Sequence, residues 1–213
     1  MKTVSDVVVV RGEQELFDRA GHLFDGVTDM ACAANDLYTW ATTRPRQAPL
    51  ERVTGRRIRK IYRPGVLLDP SGATHLREVQ ELGATIRVTR VEINETILLD
   101  NRVAILAGRL TDGVRSYSVI SNPETVQGVL SLFEVAWSSA TELAVYDARI
   151  AEIRLLAPQI LELLASGCKD ETAARTLGLG VRTYRRRVAE LMTALDASSR
   201  FQAGARAREL GLI

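Results

Sequence analysis

The chain has 213 residues, 46% hydrophobic and 25% charged, with a net charge of +2, the profile of an ordinary globular protein of one large or two small domains. No apolar run approaches the ~20 residues needed to span a bilayer, and the start, MKTVSDVVVVRG, lacks both the apolar length and the small-residue cleavage site of a secretory signal. A cytoplasmic protein is expected, with Cys32 and Cys168 as buried, reduced thiols rather than a disulfide or metal ligands.

Val7–Val10 reads as a buried strand, and Leu16, Phe17, Ala20, Leu23 and Phe24 fall at helical spacing behind it. DMACAA is a short apolar strand, followed by a polar, proline-containing loop from Thr42 to Pro49. RRIRKIY is a strand ended by Pro64-Gly65. Its charges suit the solvent side of an edge strand, where they discourage aggregation, or a strip that binds an anion. Ser71 can cap a helix running to Leu82 and stopped by Gly83. TIRV, TILL, VAIL and SYSVI are further strand-like runs, the middle two joined through Asp100-Asn101-Arg102, a plausible hairpin turn. Strands alternating with helices predict an α/β domain.

Asn122-Pro123-Glu124 opens a helix with an Asn cap, a proline at the first position and an acidic first turn. Leu130, Phe133, Trp137, Ala140 and Leu143 form an apolar stripe that must bury. Helical periodicity then persists nearly to the end. Four short helices follow, PQILELLASG, DETAARTLG, VRTYRRRVAELMTALD and SRFQAGARAREL. Gly167 and Gly178 stand where helix C-termini take a left-handed residue, and Ser199 with Gln202 makes a capping box.

From Leu155 onward nine Lys/Arg stand against six Asp/Glu, while the rest of the chain carries 19 against 20. The excess positive charge therefore sits in the last quarter, as in a module that meets phosphates. In the third of these helices Tyr184, Val188, Leu191 and Leu195 face a core, which turns Arg182, Arg185 and Arg186 outward. Three consecutive arginines on an isolated helix usually make a solvated face. On the second helix of a glycine-turned pair, at the basic end of the chain, they suit a major groove.

The segment GCKDETAARTLGLGVRTYRRRV and the following Ser199-Arg200-Phe201-Gln202-Ala203 resemble the C-terminal DNA-binding domain of the LuxR family of bacterial regulators. The resemblance covers about a quarter of the chain, Gly167 to Leu210. It implies that Arg185 and Arg186 contact bases and that Arg182 and Thr183 grip the backbone, with Lys169 and Arg200 also at the DNA. It implies that the last helix, through Ala203, Arg206, Ala207 and Leu210, dimerises. Gly180 departs from the family's Ser cap and Arg187 from a common His, and Pro158 stands where the family's Thr-Pro-x-Glu start would be displaced by three positions.

Many such regulators carry a phosphoacceptor receiver, for which GVLLDPSG with Asp69 would suit, but no lysine occurs between Lys60 and Lys169 and an early acidic pair is missing. An acyl-homoserine-lactone domain is rich in Trp and Tyr, whereas aromatics are 5% here. VVVVRG, RRIRKIYRPG and INETILLDNRVAILAG before YSVISNP instead resemble the phospholipase D-like domains fused to LuxR-type helices in some actinobacterial regulators. Aligned on Asp100, the signature's nucleophilic histidine is Ile93 and its lysine is Glu95. Phosphodiester chemistry needs an imidazole and cations there, so the motif is degenerate and Asp100 is read as a turn residue. His22 and His75 sit on helices as structural histidines.

The expected fold is thus an α/β phospholipase D-like domain over 1–121, a helical linker over 122–154 that packs on it, and an all-α four-helix helix-turn-helix domain over 155–213. The expected function is a homodimeric, non-enzymatic transcription regulator that binds double-stranded DNA. No cofactor or metal is expected, and the N-terminal domain is free to take an unknown small-molecule ligand. The rivals are a phosphodiesterase or nuclease targeted by the helices, and a module whose arginines bind an acidic protein surface.

Overall fold

A computed structural model describes residues 6–37 and 55–213; the loop expected from Thr42 to Pro49 lies outside them. The chain divides into two compact units, Met1–Arg63 with Leu76–Thr141, and Pro64–His75 with Glu142–Ile213.

The first unit is mixed α/β. Strand β1 (Val7–Arg11) leads into α1 (Gly12–Ala20), extended by one tight turn over Gly21–Phe24. Then come β2 (Asp29–Ala34), β3 (Arg57–Tyr62), helix α2 (Pro70–Glu81, which begins in the second unit), β4 (Thr85–Val88), β5 (Thr96–Leu99), β6 (Val103–Thr111), β7 (Val114–Ile120) and helix α3 (Pro123–Ser139). With a two-residue β8 (Thr141–Glu142), the described residues form an eight-stranded sheet in the order β1-β7-β6-β5-β2-β3-β4-β8. Strands β2, β3 and β4 pair in parallel, and the remaining pairs from β2 through β5, β6 and β7 to β1 are antiparallel. Strand β5 is buried throughout, as an apolar run in the middle of a covered sheet should be. One face of the sheet, carrying Ala31, Ala33, Ile61, Leu98, Ala104 and Ile120, packs with Val126, Phe133 and Ala136 of α3.

Besides β1, which was expected to be buried but stands first in the strand order with Val7, Val8 and Val9 exposed, two expectations change. RRIRKIY is an interior strand, not an edge: β3 lies between β2 and β4, and Arg59 is 4% exposed. What makes a buried arginine tolerable is supplied by α3. Its Nη1 donates to Glu134 at 2.6 Å, and its guanidinium carbon sits 5.3 Å from the Phe133 ring centre and 5.6 Å from that of Trp137. Arg87 covers the Trp137 ring at 4.7 Å and donates to the Trp137 carbonyl at 2.8 Å, satisfying a carbonyl at the end of α3. The second change concerns α2, which is capped by Asp69 rather than Ser71. The Asp69 carboxylate accepts from the Gly72 N–H at 2.9 Å and from the Ser71 hydroxyl.

The second unit holds a buried turn at Pro64–Leu68, the start of α2, and the helices α4 (Leu143–Ala165), α5 (Asp170–Thr176), α6 (Val181–Ala194) and α7 (Arg200–Glu209). The sequence expectation of a linker over 122–154 and a boundary at 155 does not match this division. Residues 123–139 are a helix of the first unit, and α4 runs without interruption through Leu155 and Pro158. Its buried stripe, Leu143, Ile150, Ile153, Ala157, Ile160 and Leu161, is continuous, whereas Pro158 faces out and costs one backbone hydrogen bond. Arg154, buried on the same helix, donates to the Leu67 carbonyl and to Asp147.

Candidate nucleic-acid interface

Helix α5 ends at Leu177 in a turn that only a left-handed residue closes. Gly178 takes φ +65°, its N–H donates to Arg175 at 3.1 Å, and the Leu179 N–H donates to Ala174 at 2.8 Å. The same pair of bonds, Gly167 to Leu164 and Cys168 to Leu163, ends α4. The chain thereby turns into α6, where Tyr184, Val188 and Leu191, with Leu195 just after, are buried as the spacing predicts. Ser199 caps α7 by accepting from the Gln202 N–H at 3.1 Å, while the Gln202 side chain reaches back to the Ser198 N–H at 2.7 Å, one residue before the expected box partner.

With one face of α6 buried, its arginines separate into classes. Arg182 is exposed and pairs with none of the described residues. The Arg186 side chain is 64% exposed and, among the described residues, pairs with Glu190 alone, 3.6 Å away and one turn on. The Arg185 side chain is 59% exposed, yet its Nε donates to Asp170 at 2.8 Å and its Nη2 to Glu171 at 3.4 Å. Arg187, the third of the run, is turned aside: it is 17% exposed, held by Glu190 at 2.7 Å and by Glu152. Lys169 is exposed immediately before α5, Thr183 is half-buried, and Arg200 pairs with the other oxygen of Asp170 at 2.8 Å. Hydrogen bonds from Arg200 and then Arg185 hold the Asp170 carboxyl below the ordinary 3.8. That acidic partner was not legible as such, because Asp170 and Glu171 look like dipole-stabilising residues of a first turn.

The dimerisation residues expected on α7 need correction. Ala203 and Ala207 are both 0% exposed inside their own chain, and Leu210 reaches Gly65 so closely that a Cβ there would lie 2.5 Å from its Cδ1. Only Arg206 of that set is exposed, and it pairs with Glu209 at 3.1 Å. A small-residue stripe can serve a partner helix or the chain's own core. Here it serves the core.

The first unit carries the residues aligned with the phospholipase D signature. Ile93 packs against the cluster of Phe133 and Ala136. Glu95 is 7% exposed, accepting from Arg115 Nη1 at 2.5 Å and from the Asn35 N–H at 3.1 Å. Asp100 is a turn residue with φ +47° between β5 and β6. Its Oδ1 accepts from the N–H groups of Asp29 at 2.8 Å and Thr28 at 2.9 Å, bonds that depress its pKa. Ile93 has no nucleophilic atom, and the carboxylates of Glu95 and Asp100 carry the wrong charge to hold a phosphoryl group. Arg115 also lines an open cleft of about 470 Å³ with Glu13, Gln14, Asp36 and Tyr117. His22 is exposed on the turn after α1 and His75 half-buried on α2. Cys32 is buried, its thiol pushed up to about 11 by burial, while Cys168 is partly exposed rather than buried. Among the described residues no His, Cys, Asp and Glu cluster suits a metal, and no helix is long and apolar enough to cross a membrane.

No protein-family model matches the chain. Over 160 residues it is 36% identical to the bialaphos biosynthetic pathway regulatory protein of Streptomyces hygroscopicus, covering 75% of this chain and 62% of that one. The chain thus spans less than two thirds of the relative's length. Similar solved structures include Nuc, a phospholipase D family member from Salmonella typhimurium, at 13% identity and TM-score 0.49 over 64% of this chain and 97% of Nuc. NucT from Helicobacter pylori, at 7% identity, gives 0.48 over 64% and 99%. TrmBL2, an archaeal chromatin protein whose structure shows a novel mode of DNA binding, gives 0.48 at 13% identity over 67% and 55%.

Proposed function

We propose that this protein regulates transcription by binding double-stranded DNA through α6, as a LuxR-type helix-turn-helix. The observation that carries the reading is the separation of faces on α6: Tyr184, Val188 and Leu191 are buried, while Arg182, Arg185 and Arg186 stand exposed behind a tight glycine turn. A helix so presented enters a major groove, where arginine reads the O6 and N7 of guanine. Arg182, Thr183, Lys169 and Arg200 would set the register on phosphates. The regulatory name of the Streptomyces relative agrees with this reading. The first unit serves as a non-catalytic regulatory domain, and the cleft beside Arg115 is where a small ligand would enter it. The protein acts in the cytoplasm as a homodimer whose interface uses surfaces other than Ala203 and Ala207.

A phosphodiesterase reading finds no support in Ile93, Glu95 and Asp100, whose side chains are committed to packing, an ion pair and a turn. The test is selection from a duplex pool with a randomised core, run on the full chain beside the Arg185→Ala/Arg186→Ala variant. Enrichment of a two-fold symmetric motif by the wild type alone is the expected result. Weak binding that vanishes as salt rises, with no motif, would reduce the arginines to backbone charge.

A further inference from the structure

We infer that Asp170, aided by Glu171, is a positioning residue that fixes Arg185 as the base reader of α6, leaving Arg186 for the phosphates. The inference deepens the DNA-binding reading and rests on it. A guanidinium has two edges that can dock bidentately, one through Nε and Nη2 and one through Nη1 and Nη2. On Arg185 the first edge is occupied: Nε donates to Asp170 Oδ2 at 2.8 Å and Nη2 to Glu171 at 3.4 Å. Neither bond uses Nη1, and the side chain remains 59% exposed. The acids therefore hold the arginine from behind and leave the outer edge to meet guanine.

Asp170 is suited to the task because it is itself fixed. It stands in the first turn of α5, its side chain is 13% exposed, and its Oδ1 receives Arg200 of α7 at 2.8 Å. Three helices thus set the direction of one guanidinium. Bidentate readout depends on such direction, and a side chain already held loses less freedom on binding. Arg186 has only a 3.6 Å contact to Glu190 on its own helix, and Arg182 pairs with none of the described residues. Arginines left this free suit phosphates, which accept many approach angles.

The experiment is selection from a duplex pool with a randomised core, using the full chain as wild type, Asp170→Asn, Glu171→Gln and Arg185→Ala. Asp170→Asn is expected to blur one G·C position per half-site by about tenfold. That position is the one Arg185→Ala loses, and binding to a duplex of unrelated sequence stays within about threefold. Glu171→Gln, on an exposed side chain that folding does not need, blurs the same position less and carries the test if Asp170→Asn fails to fold. Two outcomes overturn the inference. An unchanged motif in both acid variants would make the carboxylates merely structural. A sharply tighter grip with base preference intact would make them a lock that competes with DNA. A wild type that enriches no motif removes the DNA-reading proposal itself, a result distinct from either.

Discussion

Arginine has opposite fates in the two units. In the sheet, Arg59 and Arg87 lie against the rings of Phe133 and Trp137, and Arg59 is almost sealed from solvent. On α6, Arg182, Arg185 and Arg186 stand out from a helix whose opposite face is buried. The sequence marks both places with runs of basic residues, RRIRK and RRR. What separates them is the partner. Rings and a carboxylate from α3 make Arg59 part of an interior, while a short acidic turn holds Arg185 at the surface without covering it. Charge density along a chain is thus a poor guide to exposure until its aromatic and acidic partners are located.

The contrast can be broken most forcefully at the rings. Phe133→Ala removes a fully buried aromatic and the floor under Arg59, and should cost about 3–5 kcal/mol in urea unfolding followed by tryptophan fluorescence. Arg59→Ala should cost about 2 kcal/mol through its lost ring and carboxylate contacts. Arg186→Ala, on an exposed face of the second unit, which carries no tryptophan, should stay within about 0.5 kcal/mol in urea unfolding followed by far-UV circular dichroism. Equal losses would erase the distinction between the two environments. Asn122→Ala, which removes the cap that accepts the Thr125 N–H at 2.9 Å, should cost about 1 kcal/mol and sharpen how much of the first unit depends on α3.

Acid provides a gentler probe of the second unit. The Asp170 carboxyl titrates below its ordinary 3.8, so the unfolded chain binds the proton more readily. The stability it contributes is complete above about pH 4, near the unfolded value, and is lost as pH falls through the lower folded value. Unfolding midpoints between neutral pH and pH 3 should therefore fall more steeply for wild type than for Asp170→Asn. Arg186→Ala offers the smallest effect: the slope of log K against log salt for a generic duplex should drop by about 1, with no change in melting.

Local chemistry was legible where a residue and its partner are neighbours. The Asp100-Asn101 turn, the Asn122 cap and the glycines at 167 and 178 all satisfy backbone needs within a few positions, and each stands as the residues suggest. The buried face of α6 was equally plain, since four apolar side chains at helical spacing leave little choice. Reading stopped where a partner is distant. The carboxylate and ring that bury Arg59 come more than 70 residues later. Pro158 looked like a helix start because its cost is local, whereas the continuous apolar stripe that offsets it spans α4. Ala203 and Ala207 have too little side chain to declare which neighbour they serve, and Gly65, against which Leu210 lies, is far away in the chain.

The helical unit is stitched from two separated stretches, Pro64–His75 and Glu142–Ile213. A ribosome makes the first stretch long before the helices it joins, so that piece must wait while more than half of the first unit is synthesised. A fragment beginning at Glu142 would lack the Leu67 carbonyl that receives Arg154 and the Gly65 surface that receives Leu210. One genetic splice could not carry this unit intact into another protein. It travels only with the stretch that its sheet-bearing neighbour has come to host.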